Sequence, residues 1–145
     1  MKRLRCRGVA AIEAALVMAG LAPLLALAIN MGQLAIDGAA ADRAASNAAR
    51  YLSLVPLEAL RDASRLTVAQ DSARRLVDET LSASRTDVQA SHIEFMCGLG
   101  HCDEMQPGFI PTKIGVVLTV QSQSVFDIGN GPVNLTVYAE VGRDN

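Results

Sequence analysis

Side chains able to ligate a metal, change redox state or move a proton crowd into one short stretch that holds His92, Cys97, His101 and Cys102, with CGLGHC spanning residues 97–102. A disulfide would close a small loop containing two glycines and stiffen it for display, constraining the unfolded chain by about 2 kcal/mol. A metal centre would draw on all four side chains, yet their spacing matches no common zinc pattern. A thioredoxin-like redox pair wants two residues between its cysteines, and here there are four. The expectation is a Cys97–Cys102 disulfide and no metal site. No other constellation offers catalysis: there is no Gly-x-Ser-x-Gly and no phosphate-cradling glycine loop, and the acids scatter over helical surfaces. The chain is expected not to be an enzyme and to need no cofactor.

The second chemically telling group is Glu13, inside the stretch RGVAAIEAALV at residues 7–17. The run from Ala14 to Ile36 carries no charge and exceeds the roughly 20 residues that a helix needs to cross the hydrocarbon core. A transmembrane helix is therefore expected. Lys2, Arg3, Arg5 and Arg7 precede it without an acid, so the positive-inside rule keeps the N-terminus cytoplasmic and exports the chain beyond the helix. In an exported domain disulfides persist, which supports the cysteine pairing.

Three explanations treat Glu13 differently. An ordinary signal anchor places an acid near lipid by accident, at a cost of up to about 3 kcal/mol depending on depth. A secretory signal peptide would be cut after Ala26-Leu27-Ala28, a small-x-small pattern, with Ile29 as the new N-terminus, but it would carry Glu13 within its apolar region. The third explanation starts from Gly8. A basic leader, Gly8, Glu13 and a long apolar run resemble the cleavage region of type IV prepilins, in which a membrane-embedded peptidase cuts after the glycine. Val9 would become the first mature residue, and Glu13 would lie just over one turn away. In an assembling fibre that carboxylate can meet the terminal ammonium of a neighbour, and because unpaired charge in hydrocarbon is costly, pairing rewards correct register.

The resemblance narrows further. Gly8, Glu13, Ala15, Leu16, Pro23 and Gly32, with INMGQLAID and the AARYL of residues 48–52, are similar to the N-terminal region of TadE-like proteins, minor pseudopilins of the tight-adherence (Tad, Flp-type IVb) pilus system. The likeness covers about residues 5–55. Ala14 stands where that family prefers an aromatic, and Pro23 lies further from Glu13 than is typical. The resemblance implies a minor pseudopilin that a prepilin peptidase processes between Gly8 and Val9, with Glu13 serving processing and assembly. Its partners would be other pilins or minor pseudopilins, an inner-membrane assembly platform and the lipid bilayer. Its task would be assembly or priming of an adhesive pilus. The location implied is the bacterial inner membrane, single pass, with a periplasmic C-terminal domain and incorporation into an extracellular pilus. The rival reading is a signal-anchored or secreted periplasmic binding module that never enters a fibre.

Patterning defines the elements that would position these groups. After a basic leader at residues 1–8, one long helix is expected over 9–55, membrane-embedded over about 9–36 and rich in alanine beyond, where Asp37, Asp42, Arg43 and Arg50 keep it soluble. Pro56 ends it, and Pro23 should kink it. The exported domain is 56–145. Within it, Leu57, Leu60, Ala69, Ala73, Leu76, Val77, Thr80 and Leu81 recur at helical steps and predict an amphipathic helix inside Leu57–Ser84, with a break near Ala63–Thr67 where the stripe loses phase. The period then changes to two. Strands are expected at Val88–Phe95, Ile114–Val120 and Val133–Val141, with GNGP at 129–132 as a turn. The fold class is α+β: a type IV pilin-like helix extended into a domain with a second helix and a three-stranded antiparallel sheet. Net charge is −2, and without the leader the rest is decidedly acidic, with no basic stripe interleaved with aromatics. No attraction for nucleic acid is expected.

Overall fold

A computed structural model describes residues 6–84, 88–105, 109–123 and 131–143, with the side chains of the first helix from Val9 onward. Most of the leader, residues 1–5, and the first half of the GNGP turn lie outside the described residues. The architecture is α+β, with a long apolar N-terminal helix and a four-stranded antiparallel sheet.

Helix α1, Cys6–Leu54, is 49 residues long, or about 74 Å at 1.5 Å per residue. It runs through Pro23, whose missing N–H leaves the Ala19 carbonyl without its intrahelical donor. It stops where expected, before Pro56. Its two halves have different surroundings. From Val9 to Leu25 every side chain is exposed, including Ile12, Leu16, Met18 and Leu24. From Ala40 to Leu52 one face is buried, with Ala41, Ala44, Ala45, Ala48 and Ala49 fully enclosed. Alanine has no bulk to hold a neighbour away, so this ridge brings α1 close against the helix at Ala63–Ala83 and the sheet.

Two helices replace the single amphipathic one: α2 at Leu57–Arg61 and α3 at Ala63–Ala83. The break lies at Asp62, just before the expected segment, for a local reason. The Asp62 carboxylate accepts from the backbone N–H of Ser64 at 2.9 Å and from that of Arg65 at 3.4 Å, capping α3 rather than continuing α2. A bond from the Ser64 hydroxyl at 2.6 Å, together with these two, holds the Asp62 carboxyl below the usual aspartate range. Helix α3 then buries Leu66, Ala69, Ala73, Val77 and Leu81. Leu66 escaped the periodic stripe because the phase resets at the cap.

The sheet orders its strands as Gly100–His101 (β2), Gln89–Cys97 (β1), Lys113–Ser122 (β3) and Val133–Gly142 (β4), every neighbouring pair antiparallel. Strands β1 (Gln89–Cys97), β3 (Lys113–Ser122) and β4 (Val133–Gly142) are the three expected. The expected count of three is corrected by β2, which is only Gly100–His101. Two residues are too few to show alternation. Strand β2 exists because CGLGHC folds back as a hairpin, pairing Cys97 with Gly100 and Met96 with His101. Its turn begins at Gly98, whose φ of 74° suits a tight hairpin and whose missing side chain leaves room for the Phe109 ring.

Period two decides which face is covered. Ile114, Val116, Leu118 and Val120 of β3 are all fully buried toward the helices, while Val117 and Thr119 between them are partly exposed. On the outer face, Thr119 and Thr136 share a hydroxyl hydrogen bond of 3.0 Å across the ladder. Tyr138 lies so close over Gly115 that any side chain there would collide with its ring.

Candidate functional site

Gly8, Val9 and Glu13, the residues expected to serve processing, lie in the first turns of α1. Helix α1 spans Cys6–Leu54 among the described residues, so the Gly8–Val9 peptide is within it. Glu13 is exposed and stands among exposed apolar neighbours, with Ile12 at 64% and Leu16 at 70% of their accessible surface. Val9 and Glu13 are four residues apart, hence neighbours on one helix face, displaced by about 6 Å along the axis. Were the chain to begin at Val9, Glu13 would lie just beyond the first turn, where the unsatisfied N–H groups and the helix dipole favour a negative charge.

At the other pole of the domain lies the cysteine hairpin. Cys97 and Cys102 have their sulfurs 2.09 Å apart, and both side chains are buried. Two further bonds fix the hairpin to the helices. Gln70 of α3, itself buried, donates from Nε2 to the Asp103 carboxylate at 2.7 Å, and Arg61 of α2 donates from Nη2 to the Phe109 carbonyl at 3.3 Å. Held in this way, the turn presents Leu99 fully to solvent, with Phe109 and Ile110 about half exposed nearby. A shallow cleft of about 260 Å³ opens beside it, lined by Cys97, Leu99, His101, Glu104, Met105 and Phe109 among others.

The four potential metal ligands do not converge. The cysteines are spent on each other, and His92 donates from Nε2 to Glu94 at 2.8 Å, a bond that keeps the Glu94 carboxyl below its ordinary range. Among the described residues no group of three His, Cys, Asp or Glu side chains is placed to hold a metal.

Comparison with known proteins adds no relative. No protein-family model, curated protein or solved structure matches this chain.

Sequence patterning missed one buried polar pair. Asp37, expected to keep α1 soluble, is buried, and its carboxylate accepts a 2.5 Å hydrogen bond from the buried Ser122 hydroxyl at the end of β3. The bond ties the sheet to α1 just above the uncharged run. The hint available was position, since Asp37 is the first charge after that run, but its partner is 85 residues away and no spacing rule reaches it.

Proposed function

We propose that this chain is a TadE-like minor pseudopilin, processed by a prepilin peptidase between Gly8 and Val9 and taking part in assembly or priming of a Tad/Flp-type IV pilus for adhesion. The observation that carries the reading is the division of α1: one unbroken helix whose apolar first half is bare of protein contact and whose alanine-rich second half is built into an α+β domain. A helix of this length and apolarity is able to span a membrane. On this reading the basic leader stays in the cytoplasm and the domain lies in the periplasm.

Placing Val9 at the inner edge of the hydrocarbon core puts the outer edge about 20 residues on, near Ala28. Residues 29–33 then lie in the headgroup layer, with 34–36 at its outer surface beneath the domain. The half-burial of Ala26, Asn30 and Leu34 and the burial of Asp37, all on one helix face, accord with a domain seated low on the membrane. Glu13 stays inside the lipid, where a partner charge is needed. The ammonium created at Val9 of another pilin subunit supplies it.

A signal-anchored or secreted binding module is the competing reading. Cleavage after Ala28 would sever α1 midway, whereas the helix continues without a break through Ala26, Leu27 and Ala28. The deciding variant is Gly8→Leu. The proposal expects it to accumulate as uncut precursor on a denaturing gel, and normal maturation of that variant would sink the prepilin reading.

A further inference from the structure

The two edges of the sheet are finished differently. Along β1 the register slips between Ala90 and His92, and the far end is closed by the hairpin strand β2. Strand β4 has neither device. Its register against β3 runs from Val133 to Gly142 without a shift, and its sequence holds no Pro and no Lys. An edge left regular in this way is a template for a further strand.

Hydrogen bonding at the end of the ladder fixes which groups are open. Arg143 donates its backbone N–H to the Thr112 carbonyl at 2.8 Å, one step beyond the Lys113–Gly142 pair. Hydrogen-bonded and non-bonded pairs alternate along an antiparallel ladder, so Val133, Leu135, Val137, Ala139 and Val141 bond to β3. Asn134, Thr136, Tyr138, Glu140 and Gly142 therefore turn their N–H and C=O groups outward. The other side of β3 agrees in phase, because Gly98 donates to the Lys113 carbonyl at 2.9 Å and so commits Lys113, Gly115 and Val117 to β1. Among the described residues no backbone group pairs with the outer edge of β4. Its inner face is unfinished too: Leu135, Val137 and Val141 are half-buried, while Val120, Leu118 and Ile114 opposite them on β3 are fully enclosed.

We infer that the outer edge of β4 binds an extended segment of a different chain, antiparallel to β4, with apolar side chains on the helix-facing side and polar ones on the other. Among macromolecular ligands, only an extended backbone matches a row of donors and acceptors set at every second residue. Its inward side chains would cover Leu135, Val137 and Val141, and its outward ones would lie beside Asn134, Thr136, Tyr138 and Glu140. A second copy does not fit. Two β4 strands paired antiparallel are related by a two-fold axis normal to the sheet. Helix α1 lies along the inner face of β3 and β4, so that rotation would turn it end for end. Copies that share one membrane anchor cannot be arranged in this way. That exclusion rests on the membrane reading of α1 above, and not on where the chain is cut.

The test uses the full-length chain in lipid nanodiscs, a probe peptide of alternating valine and threonine with a lysine at each end, and hydrogen exchange resolved to single amides. In the free chain Asn134, Thr136, Tyr138 and Glu140 should exchange roughly tenfold faster than Leu135, Val137 and Ala139, and saturating peptide should erase most of that difference. With its valines inward, the peptide bonds to β4 through its threonines. Methylating the threonine nitrogens should therefore abolish the protection, and methylating the valine nitrogens should leave most of it. Thr136→Pro removes one outward N–H and spares the bonds to β3, so it should weaken peptide binding about tenfold with little change in melting temperature. Exchange without alternation in the free chain, no protection by the peptide, or equal protection by both methylated peptides would each overturn the strand site. Outward amides that become protected in the chain alone as its concentration rises would give the edge to a second copy and overturn the assignment to a different chain. The N-terminal mass separates this from the processing reading: peptide protection in a chain that keeps Met1 would uphold the strand site and reject cleavage, and its absence in a chain that begins at Val9 would do the reverse.

Discussion

The two halves of α1 obey different rules although they are one helix. In the lower half large apolar residues are exposed on all sides, as in Ile12, Met18, Leu21 and Leu24, and up to Leu25 no face is covered. In the upper half large residues give way to alanine on the buried face and to Asp42, Arg43 and Arg50 on the other. The contrast teaches that this helix is specified twice, once for a uniformly apolar surrounding and once for a one-sided core. The changeover falls at Asp37.

Core truncation should separate the halves most strongly. Leu52→Ala removes a fully buried side chain and is expected to lower domain stability by about 2–5 kcal/mol in denaturant unfolding, while Leu21→Ala, in the exposed half, should leave it unchanged. Equal losses at both positions would mean that the lower half is also core. Next comes the hairpin at the far pole: Cys97→Ser should cost about 2 kcal/mol by freeing the loop, and a titration of thiols in the unreduced domain should find neither Cys97 nor Cys102 reactive. At the changeover, Asp37→Asn exchanges a charge-assisted bond to Ser122 for a neutral one and should cost about 1 kcal/mol.

The smallest effect belongs to the exposed cap. Asp62→Ala should lower the melting temperature slightly and chiefly fray the start of α3 in hydrogen exchange. Because the folded state holds the Asp62 carboxyl below its unfolded value, the cap's contribution is fully present above that unfolded value, near pH 4, and fades as pH falls through the folded one. Wild type and variant should therefore differ at neutral pH and converge in strong acid.

Elements with a period were legible in the sequence. Alternation along β3 named the four apolar residues that its inner face buries, and the alanine-rich run marked the half of α1 that approaches its neighbours closely. Contacts without a period were not. Strand β2 is two residues held by a turn and a disulfide, Leu66 is hidden by a phase reset at Asp62, and Asp37 meets a serine distant in the chain. Of the candidate site, the Cys97–Cys102 pairing was readable because the chain beyond the uncharged run holds only two cysteines. The Gln70–Asp103 bond that steadies the hairpin was not, since a glutamine on a helix stripe announces no partner.

The central claim is that the apolar half of α1 begins a mature chain rather than ending a discarded one. Mass spectrometry of the N-terminal peptide from membrane-extracted protein tests it most directly. The account predicts a chain that starts at Val9, with Glu13 retained. A chain starting at Ile29, or one that keeps Met1 or Lys2, would contradict it.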